Sequence, residues 1–321
     1  MSLPSHTVTV AVVAICGAAH LRRCLAALDA QSGAPAFDIL VVYDPQLAEM
    51  AELAGDRPDI RFVANEGQRT PLELASRAVS EAAGTLVLLT EDHCVPSPGW
   101  VRAMVGAQAE DRAVVGGSVE PLEGTTTLDW AFYLVDYYRY MPPVREGPSP
   151  TLTVCNASYR ADRLEAVADV WREIFHETAI NDALASRFGR LWLAPAARVA
   201  MRRHVRFRDA LHERYAFGRL FGCTRLEFMP RWRRLYYAVL SPALPVILFG
   251  RMARASARDP ENLRRFGRAS FHVAALVVAW SWGEWLGYLT RRRPGSELVA
   301  PELTTGVSAT RQGLSADSNV P

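Results

Sequence analysis

Short runs of aliphatic and β-branched residues alternate with stretches of helical spacing through the N-terminal two thirds of the chain, and few architectures accept that alternation. Val8 to Cys16 is a Val/Ile/Ala run suited to a strand buried on both faces, and Leu21, Leu25 and Leu28 then recur at helical intervals between Ala18 and Ala30. Phe37 to Tyr43 is a second strand ending at Asp44-Pro45, and Ile60 to Val63 a third. A helix over Leu72 to Ala83 closes at Gly84, and Thr85 to Leu89 is the next strand. The pattern continues with a helix from Val101 to Ala109, a strand from Ala113 to Val119 and an aromatic helix in DWAFYLVDYYRYM. A strand and loop in TLTVCNASY, a helix from Glu177 to Gly189 and a strand from Leu191 to Val199 follow. This interleaving predicts an α/β fold, a mostly parallel sheet with helices on both faces. In such a sheet ligands collect beyond the carboxyl ends of the strands.

Composition narrows the class. Of 321 residues half are apolar, which excludes wholesale disorder, and the length leaves room for an appendage to one large α/β domain. The formal charge of +2 conceals a division: residues 1–190 hold 15 arginines against 25 acids, residues 191–321 hold 21 against 9. Every basic residue is arginine. The five cysteines are scattered, without a C-x-x-C pair, a pattern that argues against a disulfide framework or a zinc site and for a reducing compartment. TVTVAVVAICGA lacks the basic flank of a signal peptide and reads as a strand.

The stretch LLTEDHCVPSPGW, from Leu88 to Trp100, ends a buried strand with Glu91, Asp92 and His93. Carboxylates on a rigid strand terminus are what a divalent cation bridging two phosphates requires: hard oxygen ligands and open coordination positions. TEDHCVPSPGW resembles the acidic D-x-D segment of inverting family-2 glycosyltransferases with the GT-A fold, in which a Pro-Gly-Trp turn follows two acids. Anchored on Pro98-Gly99-Trp100, Glu91 and His93 stand at the two family acid positions with Asp92 between them. The resemblance spans roughly residues 7–225 and implies a GT-A sheet, a nucleotide-sugar donor and a divalent metal, Mn²⁺ or Mg²⁺. Imidazole suits manganese better than magnesium, which favours Mn²⁺.

Other segments fit in the same order. FDILVVYDP resembles the second strand, whose end contacts the nucleotide; this implies that Asp44, and Tyr43 by stacking, bind the donor. NASYRADRLEAV resembles the acceptor-supporting segment, so that Asn156 and Arg160 either hydrogen-bond the acceptor or cap the following helix. HETAINDALASRFGRLWLAP resembles the region of the catalytic acid. Counting back from Gly189 gives Glu177 as general base, with Thr178 where the family has Asp; Asp182 is the rival, and His176 a partner or alternative base. Helical geometry turns Asp182 about 140° from Glu177, so only one of them faces a given site. Met201 stands where family members carry a metal-binding histidine, for which His204 is the nearby substitute. Arg219 and Arg225, in ERYAFGRLFGCTR, are placed to neutralise the leaving diphosphate together with Asp92 and the metal.

From about Arg231 the character changes. Leu235 to Gly250, interrupted by Pro242 and Pro245, falls short of a spanning helix; Phe271 to Leu289 is long enough but holds His272 and Glu284. Arginines flank and separate the two stretches, and one membrane face satisfies all of them if the apolar segments lie in the interface. The expected organisation is therefore a GT-A domain over residues 1–230, a membrane-associating helical segment over 231–293 and a disordered tail over 294–321. The expected function is metal-dependent, inverting transfer of a hexosyl-type sugar to a lipid-linked or growing-glycan acceptor at the cytoplasmic face of the plasma membrane, against anionic lipid and without nucleic acid. The alternatives are an inactive GT-A scaffold at the membrane and a nucleotidyltransferase, although ICGAAHLRR lacks the glycine-rich loop of the latter class.

Overall fold

The computed structural model describes residues 7–66, 70–203, 206–224 and 231–291. The chain divides into two compact units, one drawn from Met1–Leu122 and Tyr140–Met201, the other from Glu123–Arg139 and Arg202–Pro321.

The first unit is built on one sheet. Its elements are β1 (Val8–Ala14), α1 (Ala18–Asp29), β2 (Phe37–Tyr43), α2 (Ala48–Asp56), β3 (Arg61–Ala64), α3 (Pro71–Glu81), β4 (Leu86–Glu91), β5 (Cys94–Pro96), α4 (Trp100–Gly106) and β6 (Arg112–Pro121). The chain returns to it with β7 (Gly147–Pro148), β8 (Asn156–Arg160), α6 (Ala161–Glu165), α7 (Ala168–Trp171), α8 (Glu177–Phe188) and β9 (Arg190–Met201). The α5 helix (Thr127–Tyr137) belongs to the second unit. Strand order is β3-β2-β1-β4-β8-β6-β9-β5, with β7 on β9. All seven residues of β1 are buried, as a central strand covered on both faces requires.

The sheet is mixed. Pairs among β1 to β4, and β6 with β9, are parallel, but β8 enters antiparallel between β4 and β6, and β5 and β7 run antiparallel to β9. TLTVCNASY contributes strand only from Asn156 onward. Threonine 70 and Glu73 form a reciprocal capping box that starts α3. At Gly117 the β6–β9 pairing shifts register, and an added Cβ would stand 1.7 Å from the Ala197 carbonyl oxygen and 2.5 Å from Asn156 Nδ2. That backbone approach is possible only for glycine.

The second unit is helical: α5, α9 (Phe207–Thr224), α10 (Arg231–Leu240), a 3₁₀ turn at Ser241–Ala243, α11 (Leu244–Ser256) and the 31-residue α12 (Pro260–Thr290). Helices α9 and α12 meet through Gly218 and Gly222 on one and Gly283 and Gly287 on the other, where an added Cβ would lie 2.0–2.5 Å from the facing helix's backbone. Small residues at four-residue spacing let two helix backbones approach this closely. Glu284, buried on α12, accepts from Tyr288 Oη at 2.6 Å and from Trp280 Nε1 at 3.2 Å. Phe271, Val278, Trp282 and Leu289 are exposed along α12. Leu235–Ser256 is helical for 22 residues with mean hydropathy 1.4 and only 17% buried, so it reaches a membrane-spanning length by length and composition alone. The helix runs past Gly250, where the apolar stretch ends, through Arg251 and Arg254 to Ser256.

Gly117→Ala is expected to lower the unfolding free energy by about 2 kcal/mol, since backbone atoms cannot yield to the new methyl. Gly106→Ala, with nothing within 4 Å of the added Cβ, is expected to be near neutral. Urea denaturation of both variants against the parent checks this.

Candidate active site

Three neighbouring strands finish at one edge of the sheet. Tyr43, the last residue of β2, pairs with Ala14, the last of β1, and Glu91, the last of β4, pairs with Val13. Asp44, Cys16 and Asp92 therefore follow strand ends that are level with one another, in the position where parallel sheets bind ligands.

Asp92 ties two of these ends together. Its amide donates to the Val13 carbonyl at 3.0 Å, and its Oδ2 accepts from the amides of Ile15 at 3.0 Å and Cys16 at 2.7 Å. These amides lie past the last pairing of β1, where the ladder no longer supplies acceptors. Asp92 is 1% exposed and His93 3%. His93 Nε2 stands 3.3 Å from Glu91 Oε2, and its Nδ1 3.8 Å from Asp92 Oδ1 and 3.8 Å from Cys16 Sγ. Cys16, Asp92 and His93 present donor atoms that all lie within 4.8 Å of one another. A carboxylate, an imidazole and a thiol so placed suit a divalent cation, with the Glu91 carboxylate on the other side of the imidazole. Glu91, Asp92 and His93 stand out in the sequence as a polar run, whereas the only sequence signal of Cys16 is its place at the end of the first strand.

Other thiols near the corner are held protonated. Contact with Cys155, followed by burial, pushes Cys94 well up, while burial and the charge of Asp92 push Cys24 up. Met201 pairs with Cys94, one residue from His93, so the position where the family carries histidine does border the corner, occupied here by a buried thioether.

Glu177 begins α8, half-buried, and its Oε2 accepts from the Val154 amide at 2.8 Å. Two residues beyond Val154, Asn156 pairs with Thr90, the residue before Glu91, and Thr90 Oγ1 donates to the Cys155 carbonyl at 2.9 Å. The segment that anchors Glu177 thus lies alongside the end of β4. The charge of Glu177 also raises buried Tyr159, after burial itself. Asp182 is exposed on α8, whose buried face is Ile180, Asn181 and Leu184.

Two sequence assignments change. Asn156 is fully buried and its amide is occupied: Oδ1 accepts from Trp100 Nε1 at 2.8 Å, and Nδ2 donates to the carbonyls of Ser118 at 2.8 Å and Ala197 at 3.0 Å. It locks β8 to its neighbours instead of meeting an acceptor. Arg160 pairs with Leu86, at the opposite end of β4 from Glu91, and its guanidinium is engaged by Glu110 and Asp162. Four residues of strand, about 13 Å, separate it from Asn156. Asp44 is buried with Oδ1 accepting from the Gln46 amide at 2.9 Å, and Tyr43 meets Phe62 edge-on at 6.3 Å. Arg219 lies in α9 of the second unit. His204 and Arg225 lie outside the described residues.

Residues 9–167 match the family described as glycosyl transferase family 2. No curated protein matches the chain. Among solved structures, GalNAc-T7 with UDP, GalNAc and Mn²⁺ is 13% identical over 61% of this chain and 43% of its own, less than half its length, with a TM-score of 0.47. The mannosyltransferase PcManGT from Pyrobaculum calidifontis, in complex with GDP-Man and Mn²⁺, is 16% identical over 95% of this chain and 81% of its own, with a TM-score of 0.45. The matched residues 9–167, just under half of the chain, hold the strand ends, the acid pair and His93, and in them the chain is similar to glycosyl transferase family 2.

Proposed function

We propose that this protein transfers a sugar from a nucleotide-diphosphate sugar to an acceptor hydroxyl, with inversion, at a membrane surface. The single observation that carries the reading is the level edge at which Tyr43, Asp44, Cys16 and the Glu91 to His93 run assemble inside the family-2 match. Tyr43 and Asp44 are the proposed nucleotide contacts, and Glu91, Asp92 and His93 the proposed surroundings of a divalent metal, Mn²⁺ or Mg²⁺. The donor chemistry fits such an ion: Asp92 Oδ1 is buried and accepts no hydrogen bond among the described residues, a state that a cation relieves. When bound, the ion supplies positive charge to a leaving diphosphate. Arg219 and Arg225 are the proposed protein contribution to the same charge.

Glu177 is the proposed general base. Its Oε2 is fixed by the Val154 amide, which orients the carboxylate, and Oε1 is the oxygen that takes the proton of the acceptor hydroxyl as that oxygen attacks the anomeric carbon. Attack opposite the leaving group inverts that centre. Burial of Asp92 and His93 keeps bulk water from the Asp92 carboxylate and strengthens its contacts.

The proposed acceptor is lipid-linked or a growing glycan at the cytoplasmic face of the plasma membrane; the surface of the second unit supports the membrane part of this reading. Trp232, Leu235, Val239, Val246 and Ile247 are exposed on α10 and α11, and Arg251, Arg254, Arg258, Arg264, Arg265 and Arg268 are exposed beyond them. Apolar side chains beside a cluster of arginines match an anionic lipid surface.

Glu177→Gln is expected to keep the Val154 hydrogen bond and donor binding while lowering kcat roughly 100-fold to 10,000-fold; Asp182→Asn is expected to leave kcat near the parent value. Product formation from labelled nucleotide sugars in membranes reads both, and loss of transfer in Asp182→Asn alone would reverse the assignment. Asp92→Asn retains an oxygen for the Ile15 and Cys16 amides, so the variant should fold but lose Mn²⁺-dependent thermal stabilisation by nucleotide. Failure of every nucleotide sugar to give product or stabilisation would favour an inactive scaffold. Replacing Arg251, Arg254 and Arg258 together by Gln should weaken flotation with vesicles containing phosphatidylglycerol by about 3 kcal/mol, or roughly 100-fold, at low salt; unchanged flotation would remove the anionic surface from the reading.

A further inference from the structure

We infer that Cys16 is a metal ligand, and that its thiolate with Asp92 Oδ1 and His93 Nδ1 makes a three-donor site selective for a thiophilic divalent ion such as Zn²⁺ over Mg²⁺. The inference rests on the proposed cation site and specifies its ligands and its ion. Donors bound to one tetrahedral ion at about 2.0–2.3 Å lie about 3.3–3.7 Å apart. His93 Nδ1 already stands 3.8 Å from both partners, and the whole set lies within 4.8 Å, so modest side-chain rotation closes it.

Each ligand is aimed by a separate contact. The Ile15 and Cys16 amides hold Asp92 through Oδ2, which leaves Oδ1 as the second, buried oxygen without a hydrogen bond. Glu91 Oε2 lies 3.3 Å from His93 Nε2, behind the ring, while Nδ1 is the ring nitrogen that faces the thiol and the Asp92 carboxylate. A carboxylate behind a ligating histidine is the usual outer support of a metal-bound imidazole. Cys16 is half-buried, which gives the site an open side where a fourth ligand, such as a phosphate oxygen, can enter. Cys24 and Cys94, by contrast, are fully buried and held protonated by their surroundings.

Binding balances simply: the ion takes the Cys16 sulfur lone pair, the thiol proton leaves to solvent, and His93 binds neutral. One thiolate and one carboxylate then cancel the charge of a divalent ion. A thiolate with an imidazole ranks zinc and cobalt above magnesium, which prefers an all-oxygen shell. The scattered cysteines gave no sign of this in the sequence, because the three ligands come from two strands far apart in the chain.

The test uses the full chain, reduced and metal-free, titrated with Co²⁺ while near-ultraviolet sulfur-to-cobalt charge transfer and visible d–d absorption are recorded. The expected result is one Co²⁺ per chain with a charge-transfer band that persists in excess Mg²⁺. In Cys16→Ser that band is lost and affinity falls at least about tenfold while weaker d–d bands remain; in Cys24→Ser it is retained. Co²⁺ binding without the band in the parent chain, or a band surviving in Cys16→Ser, overturns the assignment of Cys16 and leaves the cation site standing. Absence of any Co²⁺ or Mn²⁺ binding overturns both.

Discussion

One carboxylate oxygen, Asp92 Oδ2, receives two backbone amides that the end of β1 would otherwise leave without acceptors, and the Asp92 amide returns a bond to Val13. This three-way tie makes the exits of β1 and β4 a single rigid object. Buried amides without partners cost about 1–3 kcal/mol each, so the tie holds the corner firmly while it fixes where the other oxygen of the same carboxylate points. The structural role and the proposed ligand role of Asp92 therefore coexist on different atoms of one group. Glu91 and His93 inherit their positions from it, being its immediate neighbours in a turn that cannot move independently of β1.

A second constraint operates one strand away. Asn156 reaches three partners, the Trp100 indole and the carbonyls of Ser118 and Ala197, from a position with no access to solvent. It fills the space that Gly117 leaves by having no side chain, and it pins the antiparallel β8 between β4 and β6. That pinning sets the course of residues 153–156 beside the end of β4, and the Val154 amide in turn seats Glu177. The proposed base is thus referred to the proposed metal corner through backbone, which gives it a defined place without direct contact between the two.

The second unit follows a different logic. Reciprocal glycine pairs on α9 and α12 bring two helix backbones together and bury Glu284 with its own-helix tyrosine and tryptophan as donors. Packing of this kind depends on close van der Waals contact more than on expulsion of water, and it leaves large apolar side chains on the outside. An apolar exterior beside arginines is stable against lipid and unfavourable against water alone.

The sequence by itself determined the alternating α/β architecture, most strand and helix cores, the identity of the acid and histidine run, and the change to apolar, arginine-rich helices near Arg231. These follow from local periodicity and residue chemistry, which a linear string records. It did not reveal β5, α2, the antiparallel entry of β8, or the assignment of α5 to the helical unit, because each depends on partners remote in the chain. Asn156 and Arg160 show the same limit: two polar residues four apart on one strand look alike in sequence, yet one fills a hole under Gly117 and the other is held by surface acids at the opposite sheet edge. Cys16 shows it most clearly, since only the parallel pairing of β1 with β4, which sets strand ends 76 residues apart side by side, brings its thiol to Asp92 and His93.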